Sequence, residues 1–431
     1  MLLINTNLSR VKKYTQNNLF KISSLNSLSV LLKIGIGLIT SKLLAVFVGP
    51  SGMALVGNLR NFLTSLESIS TLGFQSGIVK YVAQNEKNKT EIQKIIATVF
   101  ITLLLVVMVL SGLLLFWASF WNNKIFGDNF EFSLVFKILA LALPWYVISI
   151  FLLAVINGLG KFKKVIWINC VGNTIGLLVS VLLIFKFKTL GALLAVVISP
   201  ALLFFVTFYF INKEISFFDA IKFRLFDFKI IKNLSSYSLM ALVSAVFGPL
   251  VLLAIRNNII QTLGINQAGY WEIMTRISSY YLLFVSTLLS VYFLPKLSNS
   301  KTNQETKSIF WSYYKTILPV FIIGVTLIYF LRFFIIRLLF TADFLSVECL
   351  FLGQLSGDVF KVCSLILGFQ FLAKKMTIAF IISELISLAV LYFSSIYFIR
   401  IFGIEGVVMA QAFDNFLYLF ALCVYFRKSL I

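Results

Sequence analysis

Histidine is absent from the 431-residue chain. The sequence therefore lacks the commonest protein metal ligand and the side chain used most often as a general base. Charge is scarce as well, since only 12% of the residues are charged and 60% are hydrophobic, whereas soluble domains carry about 25% charged residues. The 16 acidic residues face 37 basic ones. Such an excess is typical either of nucleic-acid binding or of a membrane protein with basic loops, and the hydrophobicity favours the membrane protein over nucleic acid.

Motifs of covalent chemistry are also missing. The four cysteines are far apart and show neither metal-ligand spacing nor a disulfide framework: Cys170, Cys349, Cys363 and Cys423. The only stretch that approaches a phosphate-binding loop, Gly158–Lys161, is too short for one and is better explained as a turn. We therefore expect no enzyme active site, no cofactor and no metal.

Long apolar runs dominate what is present. A spanning helix needs about 20 mostly apolar residues, and twelve candidate spans satisfy this: 25–49, 53–80, 95–117, 131–157, 165–186, 190–211, 235–257, 269–294, 309–331, 346–372, 377–399 and 405–426. The polar, basic start of the chain lacks the features of a signal peptide, so we expect the first run to remain as the first helix. The predicted fold is an all-α integral membrane protein of about twelve helices.

Lysine and arginine are concentrated on one side of these spans. The loops on the side of the N-terminus carry several bases each, for example at 87–94 and 222–232, whereas the opposite loops carry few. Because basic loops stay in the cytoplasm, this bias predicts an inner-membrane protein with both termini cytoplasmic.

The chain divides at its middle into two similar halves. Arg60 and Arg276 are separated by the same number of residues as Lys80 and Lys296, which indicates a duplication of six helices. Residues 215–231 alternate apolar and charged clusters and predict an amphipathic helix on the membrane surface. The predicted organisation is an N-terminal lobe over 1–212, a linker over 213–234 and a C-terminal lobe over 235–431.

Charged residues inside the predicted spans are the candidate functional groups, because each costs on the order of 3 kcal/mol at the bilayer centre. The bases are Lys33, Lys42, Arg60, Lys137, Arg276, Lys315 and Lys361, and the acids are Glu67, Glu272, Asp358, Glu384 and Asp414. One explanation is pairing along a helix face, which would join Arg60 with Glu67, Glu272 with Arg276, and Asp358 with Lys361. Another, for Lys42 and Lys137, is that the side chain reaches the headgroup layer.

The distribution of these charges suggests a function for those that remain unpaired. The first half is net basic at membrane depth and the second is slightly acidic. A basic cavity favours an anion, and a diphosphate carries a suitable charge. We therefore predict that the N-terminal half binds a diphosphate and that carboxylates of the C-terminal half couple transport to protons.

Several blocks resemble the O-antigen and enterobacterial common antigen flippases of the multidrug/oligosaccharidyl-lipid/polysaccharide exporter superfamily. The longest block is KIGIGLITSKLLAVFVGPSGMALVGNLRNF at 33–62, and shorter ones lie at 77–84, 238–246, 290–298 and 354–362. The resemblance implies two six-helix bundles that form a V and open alternately to either side. It also implies an undecaprenyl-diphosphate-linked oligosaccharide as substrate, surrounding membrane lipids, and a downstream polymerase and chain-length regulator as partners.

The resemblance also implies cavity or gate residues. Lys33, Lys42, Arg60, Lys80, Asp358 and Lys361 match motif positions, and Arg256 near the end of the seventh span is a further candidate cation. Two rival functions are open. A drug or cation antiporter of the same superfamily would favour an acidic cavity, whereas a polysaccharide polymerase or ligase would favour a large periplasmic loop, which the spacing of the spans does not provide.

Overall fold

A computed structural model describes residues 2–86, 88–128, 130–212 and 223–430, with side chains described from Leu25 onward apart from those of 223, 233, 236 and 237. The helices are α1 Leu2–Phe47, α2 Gly49–Ser70, α3 Gln75–Gln84, α4 Lys89–Phe116, α5 Ala118–Phe126, α6 Ser133–Gly158, α7 Phe162–Asn212, α8 Phe228–Leu263, α9 Ile265–Leu288, α10 Leu294–Asn299, α11 Asn303–Phe330, α12 Arg332–Leu339, α13 Leu350–Ala373, α14 Thr377–Phe402, α15 Glu405–Tyr425 and α16 Arg427–Leu430. A π-helical turn, Leu289–Phe293, joins α9 to α10. Within the described residues no strand occurs, and the prediction of an all-α fold is confirmed.

Ten of the described helical ranges are long and apolar enough to cross a membrane. One of them, α7, is two helices that meet at Lys188, whose backbone has φ 48° and ψ −120°. The two arms run back along each other, since the Ser199 hydroxyl lies 3.5 Å from the Gly176 carbonyl oxygen. The predicted spans 165–186 and 190–211 therefore correspond to the two arms of α7.

The second predicted span, 53–80, is interrupted. Helix α2 ends at Ser70, and α3 begins only at Gln75. Between them Leu72 and Gly73 have φ angles of 51° and 64°, a left-handed conformation that ends a helix. The average hydrophobicity of 53–80 did not predict this break, although Gly73 is a residue type that commonly ends helices.

The predicted surface helix at 215–231 needs correction at its end. Residues 213–222 lie outside the described residues, Phe223–Leu225 form a 3-10 turn, and 228–231 are the first turn of α8. That helix begins here because the Asp227 carboxylate accepts a hydrogen bond from the Lys229 main-chain N–H at 2.9 Å, as expected of an N-cap.

The two halves of the chain meet where α2 packs against α8 and α9. Near one end of α2, the Asn58 amide donates to the Ile125 carbonyl at 2.8 Å and to Asn257 Oδ1 at 3.0 Å. Further along, the Ser65 hydroxyl donates to the Val246 carbonyl at 2.9 Å. We call the membrane face that carries α16 and the C-terminus the terminal face; Asn58 lies toward the other one.

Candidate functional site

A cluster of charged residues lies at the contact between the halves. The Glu272 carboxylate on α9 accepts hydrogen bonds from Arg276 Nε at 2.8 Å and from an Arg256 terminal nitrogen at 2.7 Å. Arg60 of α2 approaches the same carboxylate at 3.7 Å. Three guanidinium groups therefore surround one carboxylate, and we call these four residues the arginine cluster.

Gly57 of α2 makes this contact possible because it has no side chain. A Cβ atom added at Gly57 would come within 2.4 Å of Glu272 Oε2 and 2.9 Å of Arg256 Cζ. The next residue of α2, Asn58, also contacts the cluster, because its Oδ1 lies 3.5 Å from an Arg256 terminal nitrogen. A small residue followed by an amide thus lets α2 approach two charged neighbours closely.

Positive charge exceeds negative charge in the cluster. The side chains of Arg256, Arg276 and Glu272 are only 2%, 7% and 6% exposed, whereas that of Arg60 is 49% exposed. A buried ion pair compensates its desolvation only with good geometry and full hydrogen bonding. Arg256 Nε has no hydrogen-bond partner among the described residues. The cluster therefore carries a net positive charge, and Arg60 is its most exposed member.

One face of α2 beside the cluster is polar and partly exposed. Residues 52–59 are buried on every side, whereas Arg60, Thr64 and Ser68, which follow one another at intervals of one helical turn toward the terminal face, are exposed or half-buried. A lipid-facing stripe would be apolar. These three residues form a partly exposed polar stripe on one face of α2, with Arg60 at its end nearest the cluster.

A cavity of about 480 Å³ with many polar lining residues lies within the C-terminal half, between α8, α9, α13, α14 and α15. Its charged lining residues are Lys361, Glu384 and Asp414. The Ser387 hydroxyl donates to the Asp414 carboxylate, and its oxygen lies 2.9 Å from Oδ1 and 3.1 Å from Oδ2. Lys361 is exposed into this space and forms no ion pair with the other described residues. The cavity can therefore accept both hydrogen-bond donors and a small cation.

Asp358 is buried beside this cavity. Its carboxylate accepts hydrogen bonds from the Ser278 hydroxyl at 2.6 Å, from the Tyr281 hydroxyl, and from the Gln354 amide at 3.2 Å. The predicted helix-face pair of Asp358 with Lys361 is therefore replaced by three neutral donors. Hydrogen bonds therefore hold the Asp358 carboxyl group in place, and Lys361 forms no ion pair with it.

Other predicted site residues lie elsewhere. Glu67 does not pair with Arg60; its carboxylate accepts hydrogen bonds from Tyr146 and, at 3.3 Å, from Gln75. The Lys42 ammonium donates to the Leu338 carbonyl oxygen at 2.6 Å and so bridges α1 and α12. Lys80 is half-buried on α3, away from the arginine cluster. Of the predicted pairs, only Glu272 with Arg276 is found.

An apolar groove of about 690 Å³ lies between α1, α9, α11 and α12. On α1 it is lined by Ile34 and Leu38, and on α9 by Tyr280 and Tyr281 among others. The Tyr280 hydroxyl lies 3.0 Å from the Ser41 hydroxyl, so α1 and α9 cross beside the groove. Lys33, which is exposed, is the neighbour of Ile34 toward the start of α1. The groove itself is almost wholly apolar, and Lys33 lies next to one of its lining residues on α1 without lining it.

Sequence reasoning missed the uncharged members of both sites. Asn58, Ser278, Tyr281 and Gln354 each contact a predicted charged residue. Only charged residues within the spans were considered candidates, although an amide or hydroxyl in an apolar run is also costly to bury without a partner. The signal that these four residues share is a polar side chain of any kind inside an apolar run.

Comparison with known proteins gives one family, one relative of similar sequence and two structures of similar fold. The family described as "Polysaccharide biosynthesis protein" matches residues 19–301. The lipid III flippase of Escherichia coli (strain K12) is 29% identical over 417 residues, covering 94% of this chain and 97% of that protein. An inward-facing multidrug resistance MATE transporter of the MOP superfamily has a TM-score of 0.79 at 14% identity, covering 93% of this chain and 98% of its own. The lipid II flippase MurJ in an inward closed conformation has a TM-score of 0.63 at 19% identity, with coverages of 95% and 87%. The two structures share this fold.

Proposed function

Because the chain belongs to the polysaccharide biosynthesis protein family of membrane proteins, we propose that it moves a lipid-linked oligosaccharide across the bacterial inner membrane. The substrate is an oligosaccharide on undecaprenyl diphosphate, carried from the cytoplasmic to the periplasmic leaflet. The relative in Escherichia coli is a lipid III flippase, which supports a lipid-linked substrate. Transport of this kind makes and breaks no covalent bond.

The observation that carries the proposal is the surplus of arginine around Glu272. Three guanidinium groups converge on one carboxylate, and one of them, Arg60, is half-exposed. Arginine binds phosphate oxygens through paired N–H donors and is well suited to a diphosphate. A diphosphate that reaches Arg60 would supply the negative charge that the cluster lacks.

The apolar groove supports the lipid part of the substrate. A polyprenyl chain is as apolar as the bilayer interior and is stable there. Only the charged headgroup therefore needs a polar route across the membrane. The groove of about 690 Å³ is bounded by α1 of one half and by α9 of the other. We place the first part of the tail there, with the diphosphate toward Lys33 and Arg60.

The cavity with Lys361, Glu384 and Asp414 supports two further proposals, one about the sugar of the substrate and one about coupling to protons. Hydroxyl-rich sugars bind to carboxylates, amides and aromatic rings, and the cavity of about 480 Å³ contains all three. Carboxylates at membrane depth are also the usual elements of proton relays. We propose that this cavity receives the sugar and that its carboxylates couple movement to protons.

The direction of transport follows from the orientation expected of the basic loops, with the terminal face cytoplasmic. The polar stripe of Arg60, Thr64 and Ser68 then faces the cytoplasm, where the substrate is built. Movement of the two halves against each other would expose the headgroup to the other side.

The test is transport of a fluorescent lipid-linked oligosaccharide in reconstituted vesicles. The double variant Lys33→Met/Arg60→Met is expected to lose transport, and the control Lys137→Met/Lys315→Met, which removes two other exposed bases of the spans, to retain it. Transport by Lys33→Met/Arg60→Met at the wild-type rate would exclude the proposed diphosphate site.

A second candidate function is export of organic cations, since the multidrug MATE transporter has the same fold and the C-terminal cavity contains Glu384 and Asp414. The same vesicles distinguish the two functions. A cationic dye that is transported in place of the lipid-linked oligosaccharide, and that depends on Glu384 rather than Arg60, would favour the exporter.

A further inference from the structure

A third cavity, of about 390 Å³, opens at the terminal face of the C-terminal half, remote from the arginine cluster. Three segments meet there: the start of α11, the end of α13 and the tail helix α16. The lining residues that matter most are Ser300, Lys301, Thr306, Gln370, Lys374 and Tyr425. We call it the tail pocket. The transport route proposed above does not include it.

The floor of the tail pocket is polar and buried. The Ser300 and Thr306 hydroxyls lie 3.1 Å apart, and the Ser429 hydroxyl donates to Asn303 Oδ1 at 3.1 Å. Gln370 is only 5% exposed, yet its Oε1 has no hydrogen-bond partner among the described residues. A buried amide oxygen without a partner is costly. The pocket therefore offers an unused acceptor to a ligand that carries a hydroxyl donor.

The rim of the tail pocket is basic. Lys301 and Lys374 are both exposed there. The Lys374 ammonium donates to the Ser300 carbonyl oxygen and holds the loop in place. One carboxylate lies near, that of Glu305, but it accepts the Lys301 main-chain N–H at 2.7 Å as part of the cap of α11. Neither lysine forms a salt bridge within the described part of the chain. The rim therefore favours an anion.

The depth of the tail pocket in the membrane is indicated by its aromatic neighbours. Tyr425 lines it and is 52% exposed, and Trp311 on α11 is 46% exposed. The Trp311 indole N–H lies 3.3 Å from the carbonyl oxygen of Leu430, so it ties the tail helix to α11. Exposed tryptophan and tyrosine mark the headgroup layer of a bilayer. The pocket thus lies where lipid headgroups are found.

We propose that the tail pocket binds the headgroup of an anionic phospholipid that carries a free hydroxyl, such as phosphatidylglycerol. The phosphate lies between Lys301 and Lys374, and a glycerol hydroxyl donates to Gln370 Oε1. A bound headgroup would join the tail helix α16 to α11 and α13. A free phosphate ester has similar chemistry, but the aromatic neighbours favour the lipid as its source.

The experiment is native mass spectrometry of the purified full-length protein with phosphatidylglycerol and phosphatidylethanolamine in equal amounts. Each basic residue near a membrane surface contributes on the order of a few-fold in affinity for anionic lipid, so the double variant Lys301→Ala/Lys374→Ala is expected to bind phosphatidylglycerol about 30-fold more weakly. Lys428→Ala removes an exposed base of the same tail outside the pocket and is expected to keep wild-type binding.

A second variant separates the hydroxyl contact from charge. Gln370→Met fills the same space without an acceptor, and it should weaken binding of phosphatidylglycerol while leaving phosphatidic acid, whose headgroup has no glycerol, unaffected. This variant keeps both lysines and serves as the test if Lys301→Ala/Lys374→Ala does not fold.

Three results would overturn the proposal. Wild-type retention of phosphatidylglycerol by Lys301→Ala/Lys374→Ala would exclude the site. An equal loss in Lys428→Ala would indicate general attraction to the basic face. Displacement of the lipid by excess inorganic phosphate would identify a site for soluble phosphate instead.

Discussion

Replacing Glu272 with glutamine tests the charge balance of the arginine cluster. Glutamine has the same shape as glutamate, so Glu272→Gln removes charge and leaves packing unchanged. In the wild-type protein this carboxylate is the only negative group in contact with Arg60, Arg256 and Arg276 among the described residues. The variant leaves three guanidinium groups facing one another.

The expected loss of stability is large. Removal of one partner from a buried ion pair costs about 3–5 kcal/mol because the other charge stays buried without compensation. Arg256 and Arg276 are 2% and 7% exposed, so this range applies to them. Arg60 is 49% exposed and 3.7 Å away, and solvent screening reduces its share to a fraction of a kcal/mol. We expect Glu272→Gln to lower the free energy of unfolding by at least 3 kcal/mol.

The assay is chemical unfolding in detergent micelles, followed by tryptophan fluorescence. The matched control is Glu348→Gln, which breaks a pair with Arg332 at 3.2 Å whose side chains are 35% and 19% exposed. That change is expected to cost less than about 1 kcal/mol. Inorganic diphosphate should restore more stability to Glu272→Gln than to the wild-type protein, since it replaces the missing negative charge.

Two results would refute this reasoning. If Glu272→Gln unfolds at the same denaturant concentration as Glu348→Gln, the buried guanidinium groups do not depend on the carboxylate. If diphosphate stabilises the wild-type protein and the variant equally, the cluster is not a site for that anion.

Three further outcomes are expected. Gly57→Ala places a Cβ atom 2.4 Å from a Glu272 oxygen and should slow vesicle transport severalfold, whereas Gly112→Ala, with open space around it, should leave the rate unchanged. Asp358→Asn, assayed by chemical unfolding, should cost about 1–3 kcal/mol, because an amide cannot accept from all three donors now bound to the carboxylate. Glu384→Gln should abolish the response of vesicle transport to an imposed pH gradient; an unchanged response would exclude Glu384 as the coupling group.

The fold class could be predicted from the sequence because apolar runs of spanning length follow from the thickness of a bilayer. The break at Leu72 and Gly73 was not predicted, because the length of a span reports only average hydrophobicity; its signal in the sequence is Gly73, which adopts the left-handed backbone without strain. The two arms of α7 were predicted as separate spans because Lys186 and Lys188 interrupt the apolar run.

The sequence predicted which residues belong to the candidate site better than it predicted which of them contact one another. Charge at membrane depth identified Arg60, Glu272 and Arg276 as candidates, because such residues are costly without a purpose. Spacing along one helix suggested that Arg60 would pair with Glu67, but its carboxylate neighbour is Glu272 on another helix. Which helices face each other depends on packing between distant parts of the chain, and one sequence contains no direct record of that packing.

The packing of α2 against α9 on the side away from the terminal face has a kinetic consequence. A Cβ atom at Gly269 of α9 would lie 2.0 Å from the main-chain carbonyl oxygen of Pro50 in α2, so main chain rests on main chain there. A contact between main chains cannot open by a change of side-chain rotamer within nanoseconds. It can part only when whole helices separate, which is a collective movement on the scale of microseconds to milliseconds. At this contact the two halves can therefore separate only as fast as the helices themselves move.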